Sequence, residues 1–379
     1  MKNSRILTSE LVTRDSQYSF FKHIGVLPNP DKILSRNGRT IEAYRELKND
    51  PHVWSCVQSR KSGLLSLDHS ITANGASGDA VSLIESALDS INLSGFIRNI
   101  LEAPLFGFQP FEILWEASGS HILPVEISPK PQDWFVYAPD GSLRYRTPDN
   151  PQGRKLPEFK FINVQFEADY LNPYGHALLG KCYWPVTFKN GGLRFWVNFM
   201  ERYGMPVMTG QYKRGASGDE VERLASLLAN MTEDSVIVTP SDVDIELHDA
   251  SRNSSVRLYK EMVDHCNREI SKVLLSQTMT TQLDGGSYAA ALIHYRIRAD
   301  VIKSDARLVE FAVNKLIDYI IELNFRNTPR PRFKMIIDDS DNPGRLERDI
   351  RLAREAGLRF NKDYWARNYG LREEDFEMQ

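Results

Sequence analysis

Residues 256–325 read VRLYKEMVDHCNREISKVLLSQTMTTQLDGGSYAAALIHYRIRADVIKSDARLVEFAVNKLIDYIIELNF, and the pattern of this stretch decides how the chain is organised. In its first part Leu258, Met262, Cys266, Ile270 and Val273/Leu274 recur every three or four residues, one apolar stripe on a helical period. The run from Thr278 to Ser287 interrupts that period with β-branched residues and the pair Gly285-Gly286. Ser287 is an N-cap candidate, and Ala289 to Leu323 contains neither Gly nor Pro before Thr328-Pro329 stops the pattern. About 35 helical residues span roughly 50 Å. Two uses fit such a helix: the core spine of a globular domain, or an element of an assembly.

The 379 residues are 41% hydrophobic and 26% charged, an ordinary globular composition with room for two or three domains. No apolar run approaches the roughly 18 residues of a membrane span, and MKNSRILTSELVTRDS lacks the apolar centre of a signal peptide, so neither a membrane nor export is expected. Cys56, Cys182 and Cys266 stand far apart in no metal-binding spacing, which reads as buried thiols in a reducing interior. A formal charge of −3 argues against tight nucleic-acid binding by the whole chain. The charge is unevenly spread: Ser251 to Met335 holds 14 Lys/Arg against 9 Asp/Glu, an excess of +5, so the remainder carries −8.

In chain order, residues 1–39 read as a loose arm with Pro28-Asn-Pro30 and Asn37-Gly38 as breakers. Helical patterns follow on either side of Asp50-Pro51, then a strand in Ser66–Thr72 and a helix over Asp79–Ile91. A helix from Ile97 is expected to run into Gly107 and be followed by the strand Phe108–Trp115. Trp134–Thr147 is a hairpin around Pro139-Asp-Gly141, and Phe159–Phe166 is strand-like. A helix over Leu193–Tyr203 stops at Gly204 and Pro206. The strand Val207–Tyr212, a loop, a helix Asp219–Met231 capped by Ser217, and strands Ser235–Val238 and Val243–Leu247 lead to the central helices. A strand Phe333–Ile337 and two helices, Arg345–Ala356 and Asn361–Tyr369, each closed by Gly, end the chain. The class is mixed α+β.

No phosphate loop, zinc-protease or nucleophile-elbow motif occurs. Asp338 to Asp341 lacks the ligand spacing of a calcium loop, and His176, His265 and His294 read as structural, so no metal and no cofactor are expected. Glu112 and Glu116 flank Trp115 on one strand, as carboxylates do in sugar-acting enzymes. A soluble enzyme acting on carbohydrate or nucleic acid through these two carboxylates is therefore the alternative reading.

Several stretches resemble the portal proteins of tailed phages, most closely the Mu-like group: Leu47 to Arg60 (LKNDPHVWSCVQSR), Gly107 to Trp115 (GFQPFEILW), Asn172-Pro-Tyr-Gly175 with Trp184 and Lys189, Phe199 to Pro206, and Ile270 to Thr281 with the Gly pair. The resemblance runs from about residue 20 to the end and lies in the order of the motifs. It implies a portal-type fold: an α/β wing over 40–189, stem helices over 190–204 and 251–277, a small α/β clip over 205–250 and a tunnel loop over 278–286. A long kinked wing helix over 287–327 and a C-terminal strand and helix pair over 328–379 complete it, with a crown that is short or absent. The same resemblance implies a non-enzymatic ring of about twelve subunits at a capsid vertex, assembled in the host cytoplasm. Its implied partners are the terminase large subunit, a head–tail adaptor, the major capsid or scaffold protein, and double-stranded DNA passing without sequence specificity. Carried onto this chain, the tunnel loop is Thr278, Met279, Thr280, Thr281, Gln282, Leu283, Asp284, Gly285 and Gly286. Arg268 and Lys272 become channel-facing candidates, and Tyr212, Lys213 and Arg214 become clip candidates for terminase or adaptor docking.

Overall fold

The computed structural model describes residues 26–36, 40–203, 208–229, 236–242, 252–278, 288–337, 343–362 and 364–365. Internal packing divides the chain into two units, one formed by 1–183 together with 270–379, the other by 184–269.

The larger unit begins with helices α1 (Lys32–Arg36), α2 (Glu42–Leu47) and α3 (Pro51–Leu65). Asp50 caps α3 by accepting from the N–H groups of His52 and Val53, while Pro51 fills the first turn, where its missing donor is not needed. Strand β1 (Asp68–Thr72) follows, then α4 (Gly78–Ser90), α5 (Leu93–Ile100) and α6 (Glu102–Phe106). The single helix expected up to Gly107 is thus two: α5 ends at Ile100, Leu101 caps both, and a new turn starts at Glu102 with Pro104 tolerated in it. Strand β2 (Phe108–Ser118) pairs antiparallel with β3 (His121–Pro129), and a 3-10 turn (Gln132–Trp134) leads to β4 (Phe135–Tyr137), β5 (Leu143–Thr147), β6 (Asn150–Lys155) and β7 (Phe161–Gln165). The sheet orders are β3-β2-β7 and β4-β5-β6. The expected hairpin is present, with Phe135 opposite Tyr145, and β6 extends it.

The arm is not loose throughout. Leu27 donates its N–H to the Tyr137 carbonyl at 2.8 Å and accepts from the Tyr174 hydroxyl at 2.9 Å, inside an aromatic cluster with Phe108 and Phe135. Asp31 adds a second tie, accepting from the Tyr44 hydroxyl at 2.6 Å. Residues 1–25 lie outside the description. Two glycines quoted from distant motifs meet nearby: a Cβ on Gly107 (φ +93) would strike the Tyr174 carbonyl, and one on Gly175 (φ +72) would strike the carbonyls of Gly107 and Phe166. The Asn172-Pro-Tyr-Gly175 turn can close against the start of β2 only because both lack side chains.

Helix α7 (Leu178–Tyr203) runs 26 residues across the division at Tyr183/Trp184. It begins well before the expected Leu193. Pro185 and Gly191-Gly192 made the first half look broken, yet the helix runs through all three. In the smaller unit α7 packs antiparallel on α9 (Arg252–Leu275), Lys189 meeting Asn267 and Trp196 meeting Tyr259. Strand β8 (Met208–Tyr212), helix α8 (Gly218–Ala229) and strand β9 (Val236–Pro240) form a βαβ unit whose strands are parallel. Ser217 and Glu220 cap α8 reciprocally, each side chain accepting from the other's backbone N–H. The strand expected at Val243–Leu247 lies outside the described residues.

Helix α9 (Arg252–Leu275) closes in the left-handed conformation at Ser276 (φ +57), and α10 (Tyr288–Asn324) follows with 37 residues. Strand β10 (Arg332–Ile336) pairs antiparallel with β1, and α11 (Pro343–Glu355) ends at Gly357, with Leu358 donating back to the Leu352 carbonyl. Only part of the expected second helix, near Tyr364 and Trp365, is described.

The first of the two uses weighed for the long helix, a core spine, is the one its packing shows. From Ala306 to Ile321, Ala306, Val309, Ala312, Val313, Leu316, Ile317, Ile320 and Ile321 are buried, packing with Ile84, Ile100, Phe111, Ile113 and Ile162 into the main core. The described part before that, 296–304, is half-buried or exposed. One helix therefore supplies the spine of the larger unit and projects beyond its core.

The core also holds charges. Arg60, on the apolar face of α3, donates from Nε and Nη2 to Asp305 of α10 at 2.6 and 2.7 Å, and from Nη1 to the carbonyl of Leu274 at 2.9 Å. Both side chains are buried, and the Phe166 ring lies 6.0 Å from the guanidinium. A bidentate fork with its third donor on a helix C-terminus satisfies a charge that could not otherwise sit there. A second cluster joins Lys48 (3.0 Å) and the buried Lys61 to Glu102. Burial raises the Glu102 carboxyl, but the two ammonium groups outweigh it and hold the carboxyl below its ordinary 4.5.

Two predictions follow from these charges. Asp305→Ala leaves Arg60 buried without its counter-ion and is expected to lower stability by about 3–5 kcal/mol, read as a reduced urea midpoint, whereas the double replacement Arg60→Met/Asp305→Leu loses much less. Because the folded Glu102 value is depressed, its contribution is complete above pH 4.5 and disappears as pH falls through the folded value. Below pH 4.5 the unfolding free energy of the natural chain should therefore fall more steeply than that of Glu102→Gln; equal slopes would remove Glu102 from the acid response.

Candidate functional site

Of the residues assigned to the tunnel loop, Thr278 alone is described; 279–286 lie outside the described residues. The α9 end of that segment is firmly based in the larger unit, while α10 is held further along, at Asp305. On the α9 side, Ile270, Ser271, Leu274, Leu275 and Gln277 are buried, and Ser271 Oγ shares a 2.7 Å hydrogen bond with His52 Nε2. The Arg60 contact on Leu274 O comes one residue before the helix ends. On the α10 side, the same guanidinium holds Asp305. A single α3 side chain thus grips the helix entering the segment and the helix leaving it.

The predicted Arg268 and Lys272 are exposed on α9. Both lie on the side away from the residues that carry its packing, since Tyr259, Met262, Cys266 and Ile270 recur at helical spacing on the other face. In the βαβ unit, the half-buried Tyr212 ends β8 opposite Pro240, and its carbonyl accepts from Ser241 at 2.7 Å. Lys213 and Arg214 follow in an exposed turn, where Arg214 meets Asp242 at 2.8 Å. Gly210 permits the close seating of α8 on this strand, because a Cβ there would meet Leu228 at 2.6 Å. These three candidates therefore form one exposed corner, while Arg268 and Lys272 lie on a separate helix surface.

The carboxylates of the alternative reading are not gathered into a site. Glu112 is ion-paired with Lys130 at 3.0 Å, and Glu116 is exposed opposite Leu123. The Trp115 indole N–H is directed to the Phe159 carbonyl at 2.8 Å and packs toward the core, on the other side of the strand. A cleft of about 770 Å³ opens elsewhere in the larger unit, lined by Arg45, Lys48, Trp54, Glu102, Phe106 and Lys130, and neither Glu112 nor Glu116 lines it. Cys182, a buried thiol pushed up to about 12 by its surroundings, is held in the unreactive protonated form. Among the described residues, no group of three or more His, Cys, Asp or Glu could hold a metal ion, and no helix is long and apolar enough to cross a membrane.

Sequence reasoning missed the role of Arg60. The signal was present: Val53, Cys56, Val57, Arg60, Lys61 and Leu64 fall on one helical face, and a charge within such a stripe needs a partner. It did not reveal Asp305, which is 245 residues away in sequence.

The chain matches the family model described as the portal protein of Mu bacteriophage over residues 41–371. A Mu-like prophage FluMu protein gp29 of Haemophilus influenzae is 26% identical over 337 residues, 84% of this chain and 64% of that protein. The portal protein of Escherichia phage Mu is 24% identical over 321 residues, 80% of this chain and 62% of that protein. The chain thus spans under two thirds of the length of these relatives. Among solved structures, a chain from the neck of the empty gene transfer agent particle aligns with a TM-score of 0.58 at 14% identity, covering 87% of this chain and 93% of its own. A chain from the virion of the native particle aligns with a TM-score of 0.59 at 12% identity, covering 88% and 93%. Those two likenesses bear on the α+β portal-type fold, and the family match on descent. The chain belongs to the family of Mu bacteriophage portal proteins.

Proposed function

We propose that this protein forms a ring of about twelve subunits at one vertex of a phage head, and that double-stranded DNA enters and leaves through its central channel. The observation that carries the reading is the family match over 41–371, which spans the helix–segment–helix held by Arg60. In this reading α7 from residue 190 and α9 are the stem, 205–250 is the clip, 278–286 is the tunnel loop and α10 is the long wing helix. Residues 40–189 form the rest of the wing, and 328–379 the C-terminal strand and helix pair.

The physics of a DNA conduit agrees with the residues. A wall through which DNA must slide cannot neutralise many phosphates, because each contact adds affinity irrespective of sequence. A few exposed cations, such as Arg268 and Lys272, guide phosphates without trapping them. In this reading the pair Gly285-Gly286 lets the loop 278–286 give way to the passing duplex at low strain. No catalytic step is assigned to this chain; nucleotide hydrolysis belongs to a terminase large subunit docked at the clip, with Tyr212, Lys213 and Arg214 at the contact. A head–tail adaptor takes the same end after packaging, and the major capsid or scaffold protein surrounds the wing. Assembly takes place in the host cytoplasm, and the mature location is the virion.

Negative-stain electron microscopy of the purified protein is expected to show rings with a central hole. A chain that stays monomeric or dimeric, alone and with its capsid and scaffold partners present, removes the reading. Replacing 279–286 by a shorter linker should leave ring yield unchanged and sharply reduce the DNA packaged per head. Normal packaging through such rings would sink the tunnel-loop assignment.

A further inference from the structure

The smaller unit carries more exposed apolar surface than its own packing explains. Within it, the inner face of α7 is Lys189, Gly192, Trp196 and Phe199. Lys189 Nζ donates to Asn267 Oδ1 at 3.0 Å, and Gly192 closes on Met262. Trp196 stacks on Tyr259 at 6.3 Å, with Phe199 at 5.9 Å from the same ring. Six large apolar side chains of α7 stand outside this seam, each between 36% and 66% exposed: Trp184, Phe188, Leu193, Phe195, Val197 and Met200.

Their spacing sorts them into two groups. At about 100° per residue, Trp184, Phe188 and Phe195 fall within roughly 40° of one another. Leu193, Val197 and Met200 fall within roughly 60°, on the opposite side of the helix. The inner face lies between the two, so each group forms one flank of the helix pair. The backs are polar: Arg194 and Glu201 lie on α7, and Arg257, Glu261, Arg268 and Lys272 lie on α9. Seen end-on, the pair has two apolar flanks and two polar backs.

We infer that the two flanks are the two halves of one interface between copies of this chain, Trp184/Phe188/Phe195 of one copy packing on Leu193/Val197/Met200 of the next. This rests on the ring reading above and names the surface that would close the ring. A two-fold dimer uses one patch against itself, whereas a ring needs two different patches on opposite sides of each subunit. The flanks have that arrangement. Size agrees: with aromatic side chains of roughly 150–250 Å², the three rings alone expose about 350 Å², the order of the largest patch on a typical monomer. That is nearly half of the ~800 Å² per partner in a standard interface. Rotation about a ring axis keeps each residue at one height in every copy, so Phe195 meets the neighbour's Leu193–Val197 level.

Disulfide trapping in the full-length protein tests this. Phe195→Cys and Val197→Cys chains are purified separately, then mixed under oxidising conditions. A covalent dimer in the mixture but in neither variant alone is the expected result, and the doubly substituted chain should give a ladder of linked oligomers. Phe195→Cys dimers formed alone would overturn the two-flank assignment in favour of a two-fold contact. Rings visible by microscopy that give no crosslink would overturn this interface while leaving the ring reading intact. Failure to form rings or crosslinks under any condition overturns both. Independently, Val197→Asp should reduce ring yield about tenfold or more with the circular dichroism spectrum unchanged. Undiminished rings from a folded Val197→Asp chain would also reject the surface.

Discussion

A guanidinium with three of its donors engaged joins three helices of the larger unit. Arg60 takes both carboxylate oxygens of Asp305 and the carbonyl of Leu274, so three helices from three regions of the chain converge on one side chain. The price of burying that charge is high, and an apolar trio of similar volume could fill the space at least as stably. What an apolar trio lacks is direction. The planar fork accepts one orientation of Asp305 and one position of the α9 terminus, so it sets the register between helices that hydrophobic packing alone would allow to slide. The core around it, running along α10 from Ala306 to Ile321, provides the adhesion.

That distinction explains what could be read in advance. The central helices were legible because their apolar periodicity runs for many turns, and they appear as Arg252–Leu275 and Tyr288–Asn324. The turn at Asn172-Pro-Tyr-Gly175 and the Ser217 cap were legible because their chemistry is local. Elements whose reasons lie elsewhere in the chain were not. Strand β3 contains Pro124 and Pro129, and β6 contains Pro151 and Gly153, which argues against strands by propensity. Both are edge strands, where a missing donor costs little, and β3 also slips register beside Leu114/Trp115. The first half of α7 was hidden by Pro185 and two glycines, one of which makes room for Met262.

The candidate site was legible to a different degree. Order of motifs along the chain led to the portal family, which the match over 41–371 bears out. The individual positions named for DNA or partner contact have only their surroundings described: an exposed corner at Tyr212, Lys213 and Arg214, exposed cations on α9, and a segment that leaves a buried helix end of α9. Surface charges of this kind carry little periodicity that would mark them in the sequence. The carboxylates that looked most like chemistry, Glu112 and Glu116, lie on an outward strand face, one of them already paired with a lysine.

The pairing of β1 with β10 bears on the order in which the chain can be made. Asp68–Thr72 finds its partner only in Arg332–Ile336, so during synthesis the larger unit stays open until more than 330 residues have left the ribosome. Residues 184–269 are contiguous and are complete well before that point. A contiguous segment whose packing is local can fold early, while a unit closed by distant strands must wait. The apolar flanks of α7 would then be in water while their own chain is still growing, and neighbouring nascent chains on one polysome could meet through them.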